Sequence, residues 1–279
     1  MIFLGLVNFN TSDQMRLPQI SVVTVCYNAV EAIEKTILSV VSQTYQNIEY
    51  IIIDGASTDG TVDVIKKYRN KIACFISEPD KGIYDAMNKG VMHATGEWIH
   101  FLNAGDTYHD NTIIERFVPL IEDRTQIAYG DTFYIFSIAQ KVRKALPLDK
   151  MNEMMPIGHP ATFVKLAYHK QHLFDTSYKS SGDYKFFYDS YYCYKAKFQY
   201  VPLVVADFDA EGGVSTSNSL LVAKEDARLR GINNTFRWKL RFVYCLCKYW
   251  ILKMQKKVLP RKVIEQRELS KKLIFIDQL

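Results

Sequence analysis

What the sequence lacks narrows its class first. Five cysteines, Cys26, Cys74, Cys193, Cys245 and Cys247, show no paired metal-ligand spacing, and Cys245-x-Cys247 is not a C-x-x-C. Free thiols in a reducing compartment are expected, not a disulfide scaffold. The opening "MIFLGLVNFNTSDQM" has a short apolar run but no basic start and no convincing cleavage site, so a secretory signal is not expected. No apolar run approaches the roughly 20 residues that span a bilayer. There is no internal repeat, no low-complexity segment, and no Pro/Gly/Ser linker before about residue 212.

What is present is ample for a core. The 279 residues are 48% hydrophobic, enough for one large domain or a domain with an appendage. The net charge of +5 hides an asymmetry: residues 224–279 hold 15 basic and 5 acidic side chains, leaving 20 and 25 for the rest. An acidic body with a basic tail suggests that the tail meets an anionic surface, membrane or nucleic acid.

Along the chain, "ISVVTVC" (20–26), "EYIIIDG" (49–55), "KIACFIS" (71–77) and "EWIHFL" (97–102) read as strands. Helices are expected between them: "VEAIEKTILSVVSQT", "TDGTVDVIKKY" with Asp59 or Thr61 as N-cap, and "GIYDAMNKGVMHA" (82–94). Alternating strands and helices predict a doubly wound parallel sheet, whose ligands bind beyond the carboxyl ends of the strands. Those ends gather Thr24, Tyr27 and Asn28, then Asp54, then Asp80 and Lys81, then Asp106. "NAGD" (103–106) on its own reads as a turn; four polar strand ends together point to a site. Past residue 110 the alternation loosens. Strands are expected at 127–136, 159–165 and 198–208, and a Tyr-rich amphipathic helix at 182–197.

"SVVTVCYNAVEAIEKTILSVVSQTYQNIEYIIIDGASTDGT" resembles the opening of the family 2 inverting glycosyltransferases, which have a GT-A fold: Rossmann-like, with a mostly parallel central sheet flanked by helices. "SEPDKGIYDAMNKGVMHATGEWIHFLNAGD" is similar to the branch that builds bacterial O-antigens and related surface polysaccharides. The resemblance covers roughly residues 19–215. It implies an N-terminal extension (1–18), a GT-A domain (19–215) and a basic helical extension (216–279).

The resemblance also implies site roles. Asp54 would accept a hydrogen bond from a base imide N–H; the alternative is a cap on the Ser57-Thr58-Asp59 turn. Thr24, Tyr27 and Asn28 would line the nucleotide pocket, with core packing or strand-end capping as alternatives. Asp80 and Lys81 resemble a donor-site loop, with Lys81 a phosphate partner. Asp85 and Asn88 follow at i and i+3 on one helix face, and Asn103 completes the donor set. Where the family shows Asp-x-Asp, Asn103 and Gly105 replace carboxylates and Asp106 alone remains. One carboxylate, waters and the substrate diphosphate can hold Mg²⁺ or Mn²⁺.

Asp183, at the helix start in "SSGDYKFF", matches the family base; the alternative is an N-cap, which would depress its pKa. His159 in "GHPATF" is a contact to acceptor or diphosphate, or a structural group. His93, His100 and His109 have no ligand spacing with Asp106.

The implied activity is transfer of a sugar from a nucleotide-sugar, a UDP-sugar, to a lipid-linked or saccharide acceptor. The alternative is a non-catalytic nucleotide-sugar-binding or membrane-scaffold protein of the same fold. Retention of Asp106 and Asp183 favours the enzyme. A nucleic-acid partner is not expected, because the body lacks an aromatic-interleaved basic face. Residues 236–262 form an amphipathic basic helix suited to an anionic membrane surface, which implies a cytoplasmic enzyme peripheral on the inner face of the membrane. Otherwise that face packs on the catalytic domain or on a second copy in a homodimer.

Overall fold

The computed structural model describes residues 17–210 and 218–258. The N-terminal extension up to residue 16, the segment 211–217 and the end of the basic tail lie outside the described residues.

β1 (Ile20–Cys26) is buried along its whole length. Its side chains alternate between two cores, as the period of two requires. Ile20, Val22 and Cys26 join α1 (Ile33–Val41), α2 (Thr61–Lys67) and α4 (Ile113–Phe117) on one face of the sheet. Val23 and Val25 join α3 (Ile83–His93), α5 (Leu166–Gln171) and α6 (Gly182–Tyr192) on the other. A strand covered on both faces can be apolar throughout, and each fully buried Ile or Val contributes roughly 1.5–3 kcal/mol.

The sheet has nine strands in the order β3-β2-β1-β4-β8-β6-β9-β5, with β7 on β6. β2 (Ile48–Asp54) and β4 (Trp98–Phe101) flank β1, and β3 (Cys74–Ser77) flanks β2, all parallel. Their carboxyl ends therefore face the same way and form one edge. Beyond β4 the sheet is mixed. β8 (Thr162–Lys165) runs antiparallel to both β4 and β6 (Ile127–Ile135), while β9 (Phe198–Asp209) is parallel to β6. The path from β6 to β8 runs through β7 (Gln140–Arg143) and 3₁₀ turns, with no crossover helix to bring the chain back parallel. β5 (Thr107–Tyr108) pairs antiparallel with β9 and so ties the loop after β4 to the far end of β9.

Three expectations change. The helix expected over 182–197 ends at Tyr192. The strand expected over 159–165 begins at Thr162, after a 3₁₀ turn at His159–Ala161. The N-cap of α2 is Gly60, with φ at 99°, not Asp59 or Thr61. Glycine takes that left-handed conformation without strain. Asp59, one residue upstream, still accepts the Thr61 N–H at 3.0 Å.

After β9, α7 (Ser219–Leu229) returns to the body, burying Glu225 and Ala227. α8 (Phe236–Val258) follows.

Candidate active site at the strand ends

The first two strand ends are stapled together. Asn28 sits at φ 47°; its N–H donates to Ser57 Oγ at 2.8 Å and its Oδ1 accepts the Thr58 N–H at 2.9 Å. Asp54 is fully buried. Its carboxylate accepts the Ser57 N–H at 3.0 Å and the Ser77 hydroxyl at 2.6 Å. Asp54 thus holds the turn, with the Asp80 carboxylate above it across Gly55. A Cβ on Gly55 would lie 2.5 Å from Asp80 Oδ2 and 3.3 Å from Tyr27 Cδ2. Glycine there lets Asp80 and the 65% exposed Tyr27 ring close over the β2 end. Thr24 is not at the rim: it is fully buried, donating to the Leu102 carbonyl at 2.8 Å.

The third strand end is a compact loop. Asp80 Oδ1 accepts the Gly82 N–H at 2.8 Å, and Asp85 accepts the Lys81 N–H at 3.0 Å. Lys81 is exposed, and its carbonyl accepts from Lys179 Nζ at 2.9 Å. Asn88 is turned elsewhere: it exchanges two 2.9 Å hydrogen bonds with the backbone of Phe174.

The fourth end combines a turn with a buried carboxylate. The Asp106 N–H donates to the Asn103 carbonyl at 3.0 Å, and Gly105 takes φ 105°. The Asp106 side chain is 7% exposed and accepts the Asp209 N–H at a long 3.4 Å. Burial pushes its pKa up to about 7 against the partial relief of that bond and of Lys35. Asn103 Oδ1, in the same turn, is buried with no hydrogen-bond partner among the described residues. Among the described residues no cluster of three or more His, Cys, Asp or Glu exists to cage a metal. An underserved carboxylate beside an orphaned amide oxygen is nonetheless a hard-oxygen pair that fits Mg²⁺ or Mn²⁺ completed by diphosphate and water.

Asp183 lies one residue into α6, whose N-cap is Ser181. Its Oδ1 accepts the Tyr84 hydroxyl and the Tyr184 N–H, both at 2.9 Å. Burial raises its pKa despite those donors, and the charge of Glu225 adds to the rise. That is the direction a base working near neutral pH needs. Tyr134 of β6 lies within electrostatic range of both Asp106 and Asp183. Burial raises this phenol, Arg143 opposes, and both carboxylates push it up further.

His159 is not aimed at either carboxylate by any hydrogen bond; its ring packs on Phe101 at 5.7 Å and near Phe174 and Phe187. With His169 it belongs to the aromatic core on the α3 and α6 face, while His100 stacks on Tyr108 and Phe163 on the other face of the sheet. Burial lowers His159, His100 and His169 to about 4, 3 and 4 respectively. Reading the sequence missed Tyr84, Tyr134 and Glu225, whose partners lie far along the chain.

A curled mixed sheet flanked by helices, with a polar edge at the ends of its parallel strands, defines a GT-A-like fold. The profile of glycosyl transferase family 2 matches residues 21–189, and the chain belongs to that family. It is 27% identical over 264 residues to a PGL/p-HBAD biosynthesis glycosyltransferase of Mycobacterium bovis, covering 91% of this chain and 99% of the relative. It is 32% identical over 136 residues to the putative teichuronic acid biosynthesis glycosyltransferase TuaG of Bacillus subtilis, covering 48% and 52% of the two chains. Among solved structures, S. aureus TarS in complex with UDP-GlcNAc superposes with a TM-score of 0.60 at 18% identity, over 76% of this chain and 66% of that one. The chain spans 39% of the longer TarS structure. The mannosyltransferase PcManGT from Pyrobaculum calidifontis, with GDP-Man and Mn²⁺, gives 0.61 at 13% identity over 94% and 81%.

The three core histidines predict acid lability. Each has a folded pKa below its unfolded value near 6.5, so stability is full above that pH and is lost as pH falls towards 4. His169 stacks on Phe186 at 4.5 Å, and its Nε2 has no hydrogen-bond partner. His169→Phe should flatten the pH dependence of the unfolding free energy, gaining about 1.4 kcal/mol on wild type per pH unit below 6.5. Urea unfolding at pH 7.5, 6 and 5 checks this; parallel slopes would contradict it.

Proposed function

We propose that the protein is an inverting glycosyltransferase that moves a sugar from a UDP-sugar to a lipid-linked or saccharide acceptor in cell-surface polysaccharide biosynthesis. The observation that carries this reading is the buried Asp183 carboxylate held at 2.9 Å by the hydroxyl of Tyr84, on the helix that follows the Asp80–Gly82 loop at the strand ends. The named relatives in glycolipid and teichuronic acid synthesis support the product class. The UDP-GlcNAc and GDP-Man complexes of fold neighbours define the first two donors to screen.

In this mechanism the base stacks on the exposed Tyr27 ring, with Asp80 accepting its imide N–H and Asn28 and Ser57 shaping the loop beneath. Lys81 faces the phosphates as a point charge. Asp106, with Asn103 beside it, would hold Mg²⁺ or Mn²⁺, whose charge neutralises the departing diphosphate. The acceptor hydroxyl oxygen attacks the anomeric carbon from the face opposite the diphosphate. Its proton passes to an Asp183 carboxylate oxygen as the new C–O bond forms. The bond from the anomeric carbon to the diphosphate oxygen breaks, and the nucleoside diphosphate leaves with that electron pair.

Asp183→Asn should lower turnover by about 10²–10⁴-fold while donor affinity stays within about twofold of wild type. Turnover and donor binding, measured on one preparation with the donor found by the screen, check this. Turnover within tenfold of wild type excludes the base role. Asp106→Ala should weaken nucleoside diphosphate binding with Mn²⁺ present and leave it unchanged with chelator. Equal wild-type affinity with and without metal would show that Asp106 only closes the turn.

The tail reading also belongs here. On α8, Leu240, Val243, Tyr244, Cys247, Ile251 and Met254 are all exposed at i+3/i+4 spacing, and Phe236 before them is 80% exposed. Arg237, Lys239 and Arg241 add positive charge along the same helix. The side chains of Lys248, Tyr249, Lys253, Lys256 and Lys257, part of the expected surface, lie outside the described ones. Among the described residues no helix is long and apolar enough to cross a membrane, which suits a helix lying in the interface. Each basic residue near an anionic surface contributes about 1 kcal/mol. The full-length protein should pellet with phosphatidylglycerol-containing liposomes at low salt and be released at high salt. A chain ending at Gly231 should stay in solution; equal pelleting of both would remove the tail from membrane binding.

A further inference from the structure

α7 lies outside the stretch matched by the family profile, yet it reaches the start of α6. Glu225 is 7% exposed. One carboxylate oxygen accepts the Lys179 N–H at 2.7 Å; the other accepts the Ser180 and Ser181 N–H groups, both at 2.9 Å. Three successive backbone donors, 44 to 46 residues earlier in the chain, are gathered by one side chain. They are the donors immediately before Gly182 and Asp183. A buried carboxylate with three charge-assisted hydrogen bonds is a strong local clamp.

The clamp works against a second surface. A Cβ on Gly182 would lie 2.7 Å from the Tyr84 ring, so ring and backbone are already in close contact. The Tyr84 hydroxyl reaches the Ser180 carbonyl at 2.8 Å and Asp183 Oδ1 at 2.9 Å. Lys179 Nζ, from the clamped segment, donates to the Lys81 carbonyl in the donor loop. Residues 179–183 are therefore held between Glu225 on one side and α3 on the other.

We propose that Glu225 is a positioning residue: it fixes the backbone of 179–181 so that the Asp183 carboxylate stands against Tyr84, facing the acceptor. This rests on the reading of Asp183 as the base. Tyr84 from α3 contacts the Asp183 carboxylate, and Tyr134 from β6 and Glu225 and Asp226 from α7 lie within electrostatic range of it. Because Glu225 is a like charge, it holds the Asp183 proton affinity up as well as holding its place. Removing the charge lowers that affinity; loosening the backbone misplaces the carboxylate, and a shift of about 1 Å can cost about 10²-fold in rate.

The test is Glu225→Gln and Glu225→Asp, assayed beside Asp183→Asn with the donor found by screening. Glu225→Gln should lower kcat about 10- to 100-fold with donor KM within twofold, and the acid limb of its kcat profile should move to lower pH. Glu225→Asp keeps the charge and should return the limb to its wild-type position while restoring part of kcat. Donor KM and the thermal midpoint report whether each variant is folded; if Glu225→Gln fails to fold, the Glu225→Asp profile and kcat decide. The proposal is overturned if kcat of Glu225→Gln stays within threefold of wild type, if its acid limb does not move, or if Glu225→Asp is indistinguishable from wild type in kcat. If Asp183→Asn retains turnover, the base assignment itself fails and Glu225 has nothing to position. If Asp183→Asn is inactive while Glu225→Gln is not, only the role of Glu225 fails.

Discussion

The site depends on one contact, the Tyr84 side chain against Gly182 and Asp183. Tyr84 belongs to α3, which follows the Asp80–Gly82 donor loop and packs on the parallel half of the sheet. Asp183 belongs to α6, which precedes β9 in the mixed half. The phenol ring fits because residue 182 has no side chain, and the hydroxyl is fixed by a carbonyl and a carboxylate together. Without that fit, the nucleotide edge and the base would be two surfaces with no defined spacing. Transfer between two bound substrates needs the spacing more than it needs any single group.

Three carboxylates at or near the edge then differ by environment. Asp54 is buried and served by Ser57 and Ser77, and so holds the loop. Asp106 is buried with one long backbone bond, and burial raises its proton affinity. Asp183 is buried with a phenol and one N–H, and its proton affinity rises. In the proposed mechanism the same functional group thereby serves as scaffold, metal ligand and base.

Much of this was legible in the sequence, for physical reasons. β1 was readable to the residue because a strand buried on both faces is apolar from end to end. The polar strand ends were readable because parallel strands share an edge. The antiparallel β8 was not, since a short apolar run carries no mark of its direction. Thr24 looked like a rim residue, but its hydroxyl satisfies the Leu102 carbonyl inside the core, and alternation cannot tell a buried hydroxyl from an exposed one. The approach of Asp80 and Tyr27 over Gly55 was not legible, because that space exists only once β1, β2 and β3 are side by side. Glu225 sat unremarked in "LVAKEDARL", where a glutamate on a helix looks like any solvated one; only the fold brings 179–181 to it.

The central claim is a single displacement assisted by one base. Its most direct test is the anomeric configuration of the product, read from the coupling constant of the anomeric proton by NMR soon after transfer from a donor of known configuration. The account predicts inversion, a β-linked sugar from an α-linked donor. A product that keeps the donor's configuration would contradict it, because Asp183 as the lone base on the acceptor side cannot produce retention.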